Sequence, residues 1–137
     1  MWMRTSRRAW PSAPTWPRSV EPSNLSLLGP VRHMAEVERA WFRRRLAGQD
    51  APPHYPGPDA DFEGAVSDPE VVAQAWANWR AEVAFAERFV AEAPDLDLVG
   101  TEGHCLREVL VHMIEEYARH NGHADFLRER IAGRVGQ

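Results

Sequence analysis

The sequence predicts an all-α fold. Three long stretches carry apolar residues at every third or fourth position, which is the period of a helix that buries one face. No stretch alternates β-branched and polar residues as a half-buried strand does. Proline and glycine mark most ends of the three stretches. With 137 residues, the chain is long enough for one domain with its own core.

Residues 1–24 are predicted to be irregular or disordered, ahead of a helical domain over residues 25–137. Four prolines and three tryptophans fall in this first segment, without a helical or a strand period. Each proline disfavours helix at the residue before it. We therefore expect no regular element before the first long helix.

A first long helix is predicted from about Ser26 to Leu46. Asn24 or Ser26 could cap its start, because side-chain oxygens accept hydrogen bonds from the free amides there. Pro30 falls in the first turn, where proline is tolerated, and Gly48 ends the helix. Its broad apolar stripe consists of Leu27, Val31, Met34 and Trp41, flanked by Leu28, Ala35 and Phe42.

A loop rich in proline and acidic residues is predicted over residues 49–66. Its carboxylates Asp59, Asp61 and Glu63 could line the mouth of a site. A solvated loop is the simpler interpretation, and we expect it.

The second long helix is predicted to begin at the sequence Ser67-Asp68-Pro69-Glu70 and to end before Pro94. Ser67 and Glu70 have the spacing of a capping box, with proline in the first turn. The predicted core face consists of Val72, Ala75, Trp76, Trp79, Val83, Ala86 and Val90.

The third long helix is predicted from about Leu106 to Ala132, ending at Gly133. Cys105 lies one residue before this helix and three residues before Glu108, which is the spacing of a capping box. We therefore interpret the cysteine as a substituted helix cap rather than a reactive thiol. The apolar seam consists of Leu106, Leu110, Met113, Tyr117, Ala124, Leu127 and Ile131.

Charge and composition narrow the function classes. The net charge is −4, and the first twenty residues hold four arginines and no acid, so the remainder carries 12 Arg against 20 acids, or −8. An acidic body argues against nucleic acid as the main partner. No apolar run approaches the roughly 20 residues of a membrane span, and no secretory signal is recognisable. A single cysteine excludes an internal disulfide and fits a reducing cytoplasm, where we expect the protein.

The last helix carries the candidate functional residues. Glu116 and His120 lie one turn apart on one face, with His112 and His123 beside them, and Glu115 points away. The pair falls at the edge of the apolar seam, where a carboxylate and an imidazole are costly unless something compensates them. A metal ion would compensate both. The alternative is an ordinary surface pair, worth about 0.2–0.5 kcal/mol.

His33 on the first long helix is the candidate for a third ligand. It lies outside the centre of the apolar stripe. The helical period alone leaves it evenly balanced between a surface position and a site.

Two segments together resemble the DinB-like superfamily. Residues 27–38 resemble its second helix, and residues 112–125 resemble its last helix. The most similar branch is the actinobacterial one that includes mini-circle proteins and the metal-binding domain of mycothiol-dependent maleylpyruvate isomerase. The resemblance implies a DinB/YfiT-like four-helix bundle. It also implies a divalent metal held by a histidine of helix two and a Glu-x-x-x-His pair of the last helix, which on this sequence are His33, Glu116 and His120.

The superfamily's first helix should precede the turn at residues 22–24, and residues 1–20 do not resemble it. We therefore expect the N-terminal helix to be missing or irregular. Part of the apolar surface of the other helices would then be uncovered. A homodimer would cover it, and without one the bundle would be marginally stable.

The resemblance implies a thiol-dependent, mycothiol-type transferase or isomerase that acts on small electrophiles. The partners would be a small-molecule thiol and its electrophile, with mycothiol as a possible cofactor. Two imidazoles and a carboxylate suit Zn²⁺ with one open position, and Ni²⁺ or Fe²⁺ accept the same ligands. The isomerase family carries a second domain for which this chain has no room, so isomerisation of maleylpyruvate itself is not expected.

Two alternatives remain open at this stage. One is a metal-dependent hydrolase, in which the open position holds hydroxide. The other is a non-catalytic metal-binding helical scaffold, which the unusual N-terminus favours.

Overall fold

The computed structural model describes residues 26–133, and within them the all-α prediction is confirmed. No strand occurs in this range, apart from one isolated bridge between Val99 and Cys105. The irregular segment predicted over residues 1–24, with Asn24 and any first helix of the superfamily, lies outside the described residues. The helices are α1 (Leu28–Glu38), a π-helical continuation (Arg39–Leu46), α2 (Ala60–Glu63), α3 (Pro69–Glu92) and α4 (Leu106–Ala132).

The predicted first long helix changes its winding at Arg39. From there to Leu46 the chain is π-helical, and the backbone N–H of Ala47 donates to the carbonyl of Phe42, five residues back, at 2.9 Å. The predicted helix therefore ends at Leu46 as expected, but its second half is π-helical rather than α-helical. Thr101, in the loop before α4, donates its backbone N–H to the carbonyl of Arg45 at 2.9 Å. A carbonyl at the end of the π-helical segment is therefore hydrogen-bonded by a residue far away in the chain.

The start of α1 follows the prediction in part. The hydroxyl of Ser26 accepts a hydrogen bond from the amide of Gly29 at 3.1 Å, and Pro30 lies in the first turn. Leu27, predicted in the apolar stripe, is instead exposed, because it lies before the first helical residue. Met34 and Phe42 of the predicted stripe are buried.

The cap of α3 is Asp68, one residue later than predicted. Its carboxylate accepts a hydrogen bond from the amide of Glu70 at 2.8 Å, and Pro69 is the first helical residue. A box between Ser67 and Glu70 therefore does not form. Trp76, predicted on the core face, is 39% exposed.

The bounds of α4 agree with the prediction. Cys105 is its N-cap, and its amide donates to the carboxylate of Glu108 at 3.0 Å. Gly133 ends the helix in the left-handed conformation that glycine adopts without cost.

The core lies where α1 and its π-helical continuation pack on α3 and α4. None of the described helices is long and apolar enough to cross a membrane. Val111, Ile114 and Phe126 on α4 are exposed. A homodimer could cover them, and the dimer stays a prediction. The buried residues of the core cluster are Met34, Phe42, Leu46, Ala86, Leu106, Val109 and Met113.

A polar network is buried beside this core. Trp79 donates its indole N–H to the Tyr117 hydroxyl at 2.9 Å, and that hydroxyl donates to Glu38 Oε1 at 2.8 Å. Glu38 is 5% exposed, and its second oxygen has no hydrogen-bond partner among the described residues. Burial raises the pKa of the Glu38 carboxyl, against the hydrogen bond from Tyr117, and the carboxylates of Glu82 and Glu87 raise it further.

We expect the substitution Glu38→Gln to change how stability depends on pH. A carboxyl whose pKa is raised on folding contributes stability below its ordinary value of 4.5, and that contribution is lost as pH rises through the folded value. Glutamine keeps an acceptor for the Tyr117 hydroxyl but cannot ionise. The variant should therefore gain stability relative to the original protein between pH 4.5 and 8, in urea unfolding measured across that range. Parallel curves for the two proteins would contradict the raised pKa.

Candidate metal site

The structure brings together the three residues that the sequence nominated. α1 carries His33, α4 carries Glu116 and His120, and the packing of α1 on α4 places one donor atom of each within 4.8 Å of the others. His33 and Glu116 are half-buried, and His120 is buried. The set could therefore hold a metal ion at the wall of the bundle.

The distances suit a small tetrahedral ion. Glu116 Oε2 lies 3.3 Å from His120 Nε2 and 3.9 Å from His33 Nε2. Ligands about 2.1 Å from a tetrahedral zinc ion are about 3.4 Å apart. The pair on α4 already has this spacing, and His33 would have to move inward to complete it, because the three donor atoms are spread over as much as 4.8 Å.

The charges of the site also fit a cation. Among the described residues, Glu116 forms ion pairs only with histidines: His33, His112 and His120. Burial lowers the pKa of His120, and the neighbouring His33 lowers it further, although Glu116 opposes both. A neutral imidazole is the form that binds metal. Nδ1 of His120 is buried without a hydrogen-bond partner in the described part of the chain, so the ring has no polar contact on that side.

Asp61 was predicted to be solvated, and the structure corrects this. Its Oδ2 lies 2.8 Å from Nδ1 of His33, and its side chain is only 16% exposed. Asp59 and Glu63, its neighbours in the predicted loop, are exposed as expected. Phe62 also belongs to the site, because its ring stacks on that of His33 with the centroids 5.0 Å apart.

His112 and His123 flank the triad. Nε2 of His112 lies 3.5 Å from Glu116 Oε1, on the side away from His120 Nε2, and its ring packs 4.9 Å from that of Trp41. The ring of His123 lies 5.4 Å from that of His120, and its Nδ1 is buried without a partner among the described residues. Both histidines lie next to the three candidate ligands and are not part of the ligand cluster itself.

Cys105 lies outside the site. It caps α4 eleven residues before Glu116, which corresponds to about 16 Å along the helix axis. The thiol therefore serves the start of the helix, as predicted, and it cannot act as a nucleophile at the triad in this arrangement.

A cavity of about 340 Å³ opens beside His33. Arg32 shapes its wall, because the guanidinium lies 3.8 Å above the centre of the Tyr55 ring. Glu36 Oε1 accepts a hydrogen bond from the amide of Tyr55 at 2.6 Å. This bond attaches the loop that contains Tyr55 to α1. The lining consists of His33, three carboxylates and two aromatic rings, together with Pro53 and Gly57; the carboxylates are Glu36, Asp59 and Asp61, and the rings are Tyr55 and Phe62.

The helical fold and the comparison with protein families together place the chain in the DinB-like superfamily. It belongs to the Mycothiol-S-transferase family, whose model matches residues 12–133. No curated protein and no solved structure matches the chain. The family match enters the N-terminal segment, and the division of the chain at residue 25 stays a prediction.

Proposed function

We propose that this protein is a metal-dependent thiol S-transferase that joins a small-molecule thiol of the mycothiol type to an electrophile. The observation that carries the proposal is the cluster of His33, Glu116 and His120, of which His33 also lines the cavity, in a chain of the Mycothiol-S-transferase family. A divalent cation held there would lower the pKa of the incoming thiol and so supply a thiolate near neutral pH.

The residues of the triad have separate tasks. Glu116 brings one negative charge, which offsets half the charge of a divalent cation. His33 and His120 bring neutral nitrogen donors, and burial of His120 favours its neutral form. Three protein ligands leave a fourth tetrahedral position for the substrate. Zinc fits this set best, and nickel or iron would accept the same ligands.

The cavity supports a nucleophile that arrives with the ligand. No serine or cysteine is among its described lining residues, so the phenol of Tyr55 is the one hydroxyl nucleophile among them and no thiol is present there. The thiol would pass its proton to water, and its sulfur would then attack the electrophilic carbon directly. The new carbon–sulfur bond would form as the bond from that carbon to its leaving group breaks, and the leaving group would depart with the electron pair. A reducing cytoplasm would keep such a thiol available, and we expect the protein there.

The first experiment measures metal in tag-free protein by elemental mass spectrometry. We expect close to one divalent metal ion per chain. Folded protein without metal would overturn the proposal and favour a helical scaffold that binds no metal ion. In the cobalt-substituted protein, mycothiol should add a sulfur-to-cobalt charge-transfer band. If the spectrum of the cobalt-loaded protein does not change when the thiol is added, the hydrolase alternative is favoured instead.

A further inference from the structure

We propose that Asp61 is a positioning residue of the metal centre, which holds His33 in the one tautomer and orientation that can bind the ion. This inference rests on the proposed function, because it assigns a task at the same site. The two residues are 28 positions apart, and no short-range pattern connects them.

The hydrogen bond between the two side chains determines the tautomer. An ionised carboxylate only accepts hydrogen bonds, so Nδ1 of His33 must carry the proton that spans the 2.8 Å to Asp61 Oδ2. In a neutral imidazole, the other nitrogen then has a free lone pair. That nitrogen, Nε2, is the atom that lies 3.9 Å from Glu116 Oε2. The lone pair is thus on the metal-facing side.

Asp61 is itself held in place. Arg32 donates from Nε to the carbonyl of Asp61 at 2.6 Å and from Nη2 to the carbonyl of Ala60 at 3.0 Å. The other carboxylate oxygen of Asp61 accepts from the amide of Phe62 at 3.1 Å. Arg32 is 8% exposed and directly precedes His33 on α1, so one turn of helix carries the ligand and also fastens the carboxylate that orients it.

The ring of His33 has little freedom between these contacts. Phe62 stacks on it at a centroid distance of 5.0 Å, and the ring of His120 lies 4.6 Å away at an angle of 58°. Partners that orient a histidine ligand in this way are commonly worth about 10–100-fold in metal affinity. Asp61 therefore does more than attach α2 to α1.

The test compares Asp61→Ala and Asp61→Asn with the control Glu63→Gln, an exposed acid of the same short helix. Zinc affinity is measured by competition with a chromophoric chelator, and folding by circular dichroism with metal removed. We expect Asp61→Ala to bind zinc about 10–100-fold more weakly. Asp61→Asn keeps an acceptor without charge and should lose less, and the control should bind as the original protein does.

A second readout separates orientation from general structure. Nitrogen-15 NMR of the metal-free protein should show His33 protonated at Nδ1, and Asp61→Ala should populate the Nε2-protonated form. Unchanged zinc affinity, an unchanged tautomer, or an equal loss of affinity in Glu63→Gln would each overturn the inference. If the original protein binds no zinc, the metal centre itself fails, and that result is distinct from a metal-binding protein that tolerates Asp61→Ala.

Discussion

Replacing Glu116 with glutamine is expected to abolish stoichiometric zinc binding. Glu116 is the only carboxylate of the candidate triad, and its oxygen lies between the two imidazoles, 3.3 Å from His120 and 3.9 Å from His33. Glutamine keeps the shape but loses the charge, and its amide carbonyl is a much weaker zinc ligand. The loss should exceed the roughly 10–100-fold typical of residues that only support a ligand.

The neighbouring residue provides the matched control. Glu115 is on the same turn of α4 but is exposed and points away from the triad. Glu115→Gln therefore removes the same charge from the chain without touching the site. Both variants are titrated with zinc against a chelator and are checked for helix content without metal. Equal affinities in the two variants would mean that the metal, if any, binds elsewhere.

The predictable part of the fold is the part coded by short-range patterns. The start of α4 beside Glu108 and its end at Gly133 follow from residues within one helical turn. The π-helical segment is different, because π-helices are rare and this one has a backbone partner far away in the chain. The carbonyl of Arg45, near the end of this segment, accepts a hydrogen bond from Thr101, which is 56 positions away in the chain. A pattern read within one helix contains no such partner.

The candidate site shows the same division. Glu116 and His120 share a helix face, so their proximity follows from spacing alone. His33 could be nominated only through the resemblance to the DinB-like superfamily, since the helical period left it undecided. Asp61 was predicted as solvent-exposed, because nothing near it in the sequence indicates that Arg32 will draw its backbone against α1.

Glu82 on α3 is a buried polar residue that the apolar pattern did not predict. Its side chain is 2% exposed and accepts hydrogen bonds from three cationic or ionisable groups. Arg39 Nη1 donates to one oxygen at 2.7 Å and His54 Nε2 to the same oxygen at 2.9 Å, while Arg43 Nε donates to the other at 2.5 Å. One carboxylate thus joins α3 to the π-helical segment and to the loop that forms the cavity wall.

We expect Glu82→Ala to destabilise the protein by about 3 kcal/mol, because removing one member of a buried ion pair leaves its partners with uncompensated charge. The side chains of Arg39 and Arg43 are 18% and 22% exposed, so water partly solvates their charges. We therefore expect a loss at the lower end of the range for broken buried ion pairs. Against a total stability of about 5–15 kcal/mol, the loss is large. Urea unfolding at pH 7 measures it.

The exposed pair between Arg45 and Glu102 is the control for this prediction. Its side chains are 36% and 58% exposed, so Glu102→Ala should cost less than about 1 kcal/mol.

Burial raises the pKa of Glu82, but the hydrogen bonds from Arg43 and His54 outweigh it, so the folded pKa lies below the ordinary value of 4.5. The stability that Glu82 contributes is therefore present above pH 4.5 and is lost as pH falls through the folded value. The difference between the original protein and Glu82→Ala should shrink in acid, and a difference that stays constant down to pH 3 would mean that packing, not charge, makes Glu82 important.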